Sequence, residues 1–166
     1  MEKLWSPWRS EYIESFKSNA ADDGCIFCTA VKQEVADEES LLVYKGKLSF
    51  IVLNLYPYNN GHLMIVPNRH ICKLSDLTPD ENAEIMHLIQ VSSQALEDVM
   101  KSHGFNVGAN VGKAAGAGID THLHFHIVPR WNGDTNFMPA LGHVKVISQD
   151  LLRTKIDLID AYSKMI

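Results

Sequence analysis

The segment His122-Leu123-His124-Phe125-His126-Ile127-Val128 constrains this chain more than any other. Histidine alternates with large apolar residues, and in an extended chain successive side chains point to opposite faces. A β-strand here presents three imidazoles on one face and turns Leu123, Phe125 and Ile127 toward a core. At a rise of about 3.3 Å per residue, neighbouring histidines stand roughly 6–7 Å apart and the outer pair about 13 Å apart. Metal–nitrogen bonds are only about 2.0–2.1 Å long, so three rings spaced this way do not converge on one ion. The row suits an extended anion such as a polyphosphate. The plainer alternative is a half-buried strand that happens to contain histidines, yet only eight occur in the whole chain.

The remaining patterns predict an α+β layout, a mostly antiparallel sheet with helices on it. Leu41–Tyr44, a Lys45-Gly46 turn and Leu48–Leu55 read as a hairpin, and His62–Val66 as a third strand after the turn at Pro57–Gly61. Thr78-Pro79-Asp80-Glu81 combines a capping threonine, proline at the first helical position and a glutamate three residues after the cap. Apolar residues at helical spacing then run from Ile85 to Met100, with Gly104 as the expected stop. Phe105, Val107, Ala109 and Val111 alternate as a strand does. A C-terminal helix is expected over 148–163, and residues 1–24 read as an arm whose Trp5, Trp8, Tyr12 and Phe16 pack on something. The 166 residues fit one domain, with 46% hydrophobic and 21% charged residues.

A formal charge of −5 argues against a binder of nucleic-acid backbone and leaves room for a small anionic ligand at a local site. Met1–Arg9 lacks the apolar core of a signal peptide and no segment is long enough to span a bilayer. A cytoplasmic protein without a membrane partner is therefore expected. In a reducing compartment Cys25-x-x-Cys28 reads as half of a tetrahedral metal site or as a redox couple, with a pair of buried free thiols as the alternative. Cys72 reads as a small apolar residue, and His87 and His103 as surface or capping residues. The loop Gly112–Gly118, with Gly116 and Gly118, has the composition to offer backbone N–H groups to phosphate, although such loops are also common connectors.

The alternating histidines match the His-φ-His-φ-His-φ-φ signature (φ apolar) of the histidine-triad, or HIT, superfamily of nucleotide hydrolases and transferases. Asn54, Gly61-His62-Leu63-Met64-Ile65-Val66-Pro67 and Asn110-Val111-Gly112 follow in that family's order, so the resemblance spans most of the chain. Leu4–Arg9, Pro129-Arg130-Trp131 and Asn136-Phe137-Met138-Pro139 resemble the bacterial branch similar to diadenosine tetraphosphate phosphorylases. The resemblance implies a HIT-like fold and cleavage of diadenosine polyphosphates through a covalent nucleotidyl-histidine, with inorganic phosphate or water as acceptor.

It further implies His124 as nucleophile, with His126 and His62 completing the catalytic cluster. His126 also binds phosphate, Asn54 the ribose, and Asn110 the phosphate or leaving group. His70 and His122 complete a structural zinc site with Cys25 and Cys28, one ion per chain. Relatives generally form homodimers. The chain departs from relatives that carry serine or threonine shortly before the triad, and Thr121 is a poor substitute, so no residue is assigned as leaving-group acid. A nucleoside phosphoramidate hydrolase and a non-catalytic zinc-stabilised nucleotide-binding protein are the alternatives. An intact triad disfavours the second, because binding alone needs no positioned nucleophile.

Overall fold

The computed structural model describes residues 24–37, 40–134, 147 and 150–166. The expected N-terminal arm, His143 and the Asn136–Pro139 motif lie outside these residues. Along the chain come α1 (Ile26–Ala30), β1 (Leu42–Lys45), β2 (Ser49–Leu53), β3 (Leu63–Pro67), α2 (Pro79–Met100), β4 (Gly104–Gly108), β5 (Phe125–Arg130) and α3 (Leu151–Tyr162). The five strands form one sheet in the order β1-β2-β3-β5-β4, with every neighbouring pair antiparallel.

The two faces of the sheet do different work. Ile51, Leu53, Leu63, Ile65 and Ile127 point to one side and pack with Ile85, Leu88 and Leu96 of α2 and Leu158 and Tyr162 of α3. Phe50, Val52, Met64 and Val66 point to the other side and pack around Phe27 of α1. β2 and β3 are thus covered on both faces, which is why they read as unbroken apolar runs without alternation. On β5 the apolar Phe125 and Ile127 flank His126, which takes the opposite face. Met64 lies opposite His126 in the β3–β5 register, so His126 emerges on the α1 side.

β3 is delivered by a tight turn at Gly61, where φ is +69° and a Cβ would lie 2.4 Å from Met100 Sδ. Any side chain there is both strained and obstructed. The glycine therefore lets the chain pass beneath α2 and present His62 to the sheet.

The start of α2 is as its sequence predicts. Thr78 Oγ1 accepts from the Glu81 N–H at 3.2 Å, and the Glu81 carboxylate accepts from the Thr78 N–H at 2.8 Å. Glu81 has a further partner that local reading does not supply. Arg69 grips the carboxylate with two N–H···O bonds of 2.7 Å each and donates to the Asp76 carbonyl as well. The paired guanidinium, together with the Thr78 bonds, overrides burial and holds the Glu81 carboxyl at about 2 against an ordinary 4.5.

A carboxyl depressed in the folded state contributes stability that is fully present above its ordinary pKa and is lost as pH falls through the folded value. Urea midpoints should therefore fall between about pH 4.5 and about 2, and fall less in Glu81→Gln. At pH 7 that variant should cost about 1.5–3 kcal/mol, nearer the lower figure because the Arg69 side chain is half exposed. Equal pH dependence in the two proteins would refute the assignment.

Two boundaries differ from the sequence reading. α2 stops at Met100 because Lys101 adopts the left-handed conformation (φ 52°) and closes the helix onto the Glu97 carbonyl, while Gly104 opens β4. α3 begins at Leu151 behind Asp150, whose carboxylate accepts from the Arg153 N–H at 2.8 Å. α3 also secures the loop after α1, since buried Lys155 donates to the carbonyls of Asp37 and Ser40. No helix among the described residues is long and apolar enough to cross a membrane.

Candidate active site and metal cluster

The three histidines of the triad leave the straight row expected of them. Only His126 belongs to β5; His122, at a bend, and His124 lie in the segment before it. The Leu123 N–H donates to the Ile71 carbonyl at 2.6 Å, tying this segment to the stretch after β3. The effect is to turn His122 toward the cysteines while His124 and His126 stay side by side.

His122 is fully buried, and its Nε2 lies 2.9 Å from the Pro67 carbonyl oxygen. A carbonyl only accepts, so Nε2 carries the proton and Nδ1 presents its lone pair. That lone pair points at Cys25 Sγ (3.2 Å) and Cys28 Sγ (3.6 Å). His70 Nδ1 lies 3.3 Å from Cys28 Sγ, and the four ligand atoms fall within 4.8 Å of one another. Around a tetrahedral zinc, bonds of about 2.0–2.1 Å to nitrogen and 2.3 Å to sulfur imply sulfur–nitrogen separations of roughly 3.5 Å. The donors fit.

Burial would raise the Cys25 thiol, but hydrogen bonding to His122 and to the backbone at Cys28 lowers it to about 6. Cys28 is pushed the other way by burial and by the neighbouring Cys25 charge. Cys72 is exposed.

Nδ1 of His124 lies 2.8 Å from the His122 carbonyl oxygen and must donate to it. Nε2 is then the unprotonated nitrogen. Burial holds this imidazole below its ordinary pKa of 6.5, outweighing the carbonyl contact that raises it. The ring packs between Phe27 (centroids 5.0 Å apart) and His126 (4.9 Å, nearly perpendicular). His62, wholly buried, places its Nε2 2.9 Å from His126 Nδ1. His62, His124 and His126 thus form one contiguous cluster.

Asn54, at the end of β2, is buried, and its amide nitrogen lies 3.2 Å from His62 Nδ1. It also lines a cavity of about 240 Å³ whose other walls include Phe27, Leu41, Val52, Leu55 and Met64. Asn110 follows β4. Gly116, with φ +86°, and Gly118 lie exposed on the loop beyond it. Gly118 borders a second cleft, of about 180 Å³, with Cys25 and Thr121, so it stands on the cysteine side of the site. Thr121 itself is exposed.

Two contributors escape the sequence reading. Phe27 sits inside Cys25-x-x-Cys28 and touches both His122 and His124. Tyr58 lays its ring 4.6 Å from His62 and 5.7 Å from His126. An apolar residue within a Cys-x-x-Cys motif is the one hint the sequence offers for Phe27; a tyrosine in a turn offers none.

A family model described as HIT domain matches residues 35–133. The chain is 44% identical over 160 residues to a protein of Mycobacterium tuberculosis (strain H37Rv) named AP-4-A phosphorylase, a match covering 93% of this chain and 81% of that one. It is 32% identical over 133 residues to an adenosine 5'-monophosphoramidase of Saccharomyces cerevisiae, covering 78% and 77% of the two chains. Among solved structures, a Zn-bound histidine triad family protein from Mycobacterium smegmatis superposes with a TM-score of 0.68 at 26% identity, over 86% of this chain and 95% of that one. With its sheet, its His122–Val128 segment and these matches, the chain belongs to the HIT domain family.

Proposed function

We propose that this chain is an enzyme that cleaves diadenosine polyphosphates through a covalent intermediate on His124. One observation carries the reading. The Nδ1 proton of His124 is held by the His122 carbonyl, so an unprotonated Nε2 stands next to His126 in a largely buried site. The similarity to an AP-4-A phosphorylase indicates the substrate class.

In the first step the Nε2 lone pair attacks the α-phosphorus, the N–P bond forms and the P–O bond to the nucleoside polyphosphate leaving group breaks. The Nδ1 proton stays on its carbonyl, so the adduct carries a positive ring and remains a good leaving group. An oxygen of inorganic phosphate or water then attacks phosphorus and expels His124 unchanged. His126 donates to the phosphate oxygens as charge spreads over them. The apolar cavity receives the base, with Asn54 at its edge for the ribose. Asn110 and the backbone of the Gly116–Gly118 loop contact phosphate or leaving group.

Cys25, Cys28, His70 and His122 hold one zinc ion per chain, which when bound cross-links the α1 segment to the strand carrying the nucleophile. A cytoplasmic homodimer is the proposed assembly, with no nucleic-acid partner.

Diadenosine tetraphosphate is the test. With inorganic phosphate the expected products are ADP and ATP; without it, AMP and ATP. No cleavage under either condition would refute the dinucleotide reading. Turnover of an adenosine phosphoramidate alone would favour the activity named for the yeast relative.

A further inference from the structure

Asn54 has a task beyond the cavity it borders. Two backbone N–H groups, whose role as donors is beyond question, converge on this corner. The Tyr56 N–H donates to Asn54 Oδ1 at 3.0 Å, and the Tyr58 N–H donates to His62 Nδ1 at 3.0 Å. The first bond orients the amide, so its nitrogen and not its oxygen faces His62 Nδ1 at 3.2 Å. His62 Nδ1 therefore receives two donors and must carry a lone pair, which leaves the ring proton on Nε2. That proton is donated to His126 Nδ1 at 2.9 Å. His126, accepting at Nδ1, holds its own proton on Nε2.

We infer that Asn54 is a positioning residue for the reaction assigned above: through His62 it sets the nitrogen from which His126 donates to the phosphoryl group. This role rests on that reaction, and it is separate from ribose binding. A carboxamide has two hydrogens and two acceptor lone pairs, so one amide can serve both. His62 and Asn54 are 0% and 7% exposed, so if the amide donor is lost the Tyr58 N–H is the described donor left on His62 Nδ1. Protonating His62 at Nδ1 would aim an N–H at two other N–H groups. The turn Asn54–Tyr58 thus locks the pair in one tautomeric state before substrate arrives.

Nitrogen-15 NMR of the zinc-loaded, histidine-labelled protein tests this, with resonances identified in single His→Gln variants. His62 and His126 should be protonated on Nε2. Asn54→Asp replaces the donor with an acceptor and should move a proton onto His62 Nδ1. It should lower kcat for the dinucleotide about 100-fold or more. KM should change less than about 3-fold, since a carboxylate still accepts from ribose hydroxyls.

Should that variant fail to fold, Asn54→Ala, which leaves the Tyr58 N–H as the donor on His62 Nδ1, should weaken the bias toward the Nε2 proton and shift the His62 nitrogen resonances toward the Nδ1-protonated values, and unshifted resonances would overturn the inference. Wild-type His62 protonated on Nδ1 would overturn the inference. So would an Asp variant with an unchanged tautomer, or a raised KM at unchanged kcat. The tautomers are read without substrate, so the expected spectrum in a protein that cleaves no dinucleotide would reject the reaction while keeping the hydrogen-bond assignment.

Discussion

Replacing His124 with glycine is expected to lower turnover of diadenosine tetraphosphate by roughly 10⁴-fold or more, the scale on which losing a covalent nucleophile acts. No other histidine of the cluster can take its place. Nε2 of His122 is tied to the Pro67 carbonyl, and both nitrogens of His62 are committed to Asn54, Tyr58 and His126. His126 uses Nδ1 to accept from His62, and its protonated Nε2 is a donor. Among the triad only His124 combines an anchored Nδ1 proton with an unprotonated Nε2.

The fold should survive, because the ring packs on Phe27 and His126 and not within the helix-covered core. Thermal melting and zinc content should stay near wild type. Imidazole added to the glycine variant should restore some turnover by filling the vacated space with the same nucleophile. Activity that survives the substitution would move the nucleophile elsewhere and with it the whole reaction scheme.

The double substitution Cys25→Ala/Cys28→Ala should remove the zinc, taking metal content from about one ion per chain to near zero. Losing a metal cross-link belongs to the few mechanisms whose cost reaches about 4 kcal/mol or more. The reason is specific here. Cys25 and Cys28 flank the start of a five-residue α1, too short to hold its place by its own hydrogen bonds. Its Phe27 covers His122 and His124.

Turnover should fall about 10–100-fold in whatever fraction stays folded, as it does when groups that orient a site are lost. The path is short: the His122 ring faces the cysteines and would be held by the metal, and its carbonyl holds the His124 proton. Metal analysis and urea denaturation read the two effects separately. A wild-type protein that purifies metal-free and fully folded would refute the site.

Much of this molecule is legible along the chain where the responsible contacts are local. The capping box at Thr78 needs three residues of reach and forms as read. The alternation around His126 needs only the pleat, and it correctly sends Phe125 and Ile127 to the helix side. The end of α2 at Lys101 is missed because a non-glycine residue takes the left-handed turn that glycine is expected to take. The straight triad row is missed because the Leu123–Ile71 hydrogen bond bends the segment before β5 begins, and that partner is 52 residues away, in the stretch after the neighbouring strand β3.

The row of alternating histidines determined by itself that the imidazoles would point away from the face carrying Phe125 and Ile127, since side-chain direction along an extended backbone alternates whatever surrounds it. It did not determine what each imidazole does. That depends on which nitrogen carries the proton, and the proton follows a partner. The partner is Pro67 for His122, 55 residues away, and His62 for His126, 64 residues away, while Cys25 meets His122 across 97 residues. Only the folded sheet brings these groups within hydrogen-bonding distance, so three chemically identical side chains acquire three different roles.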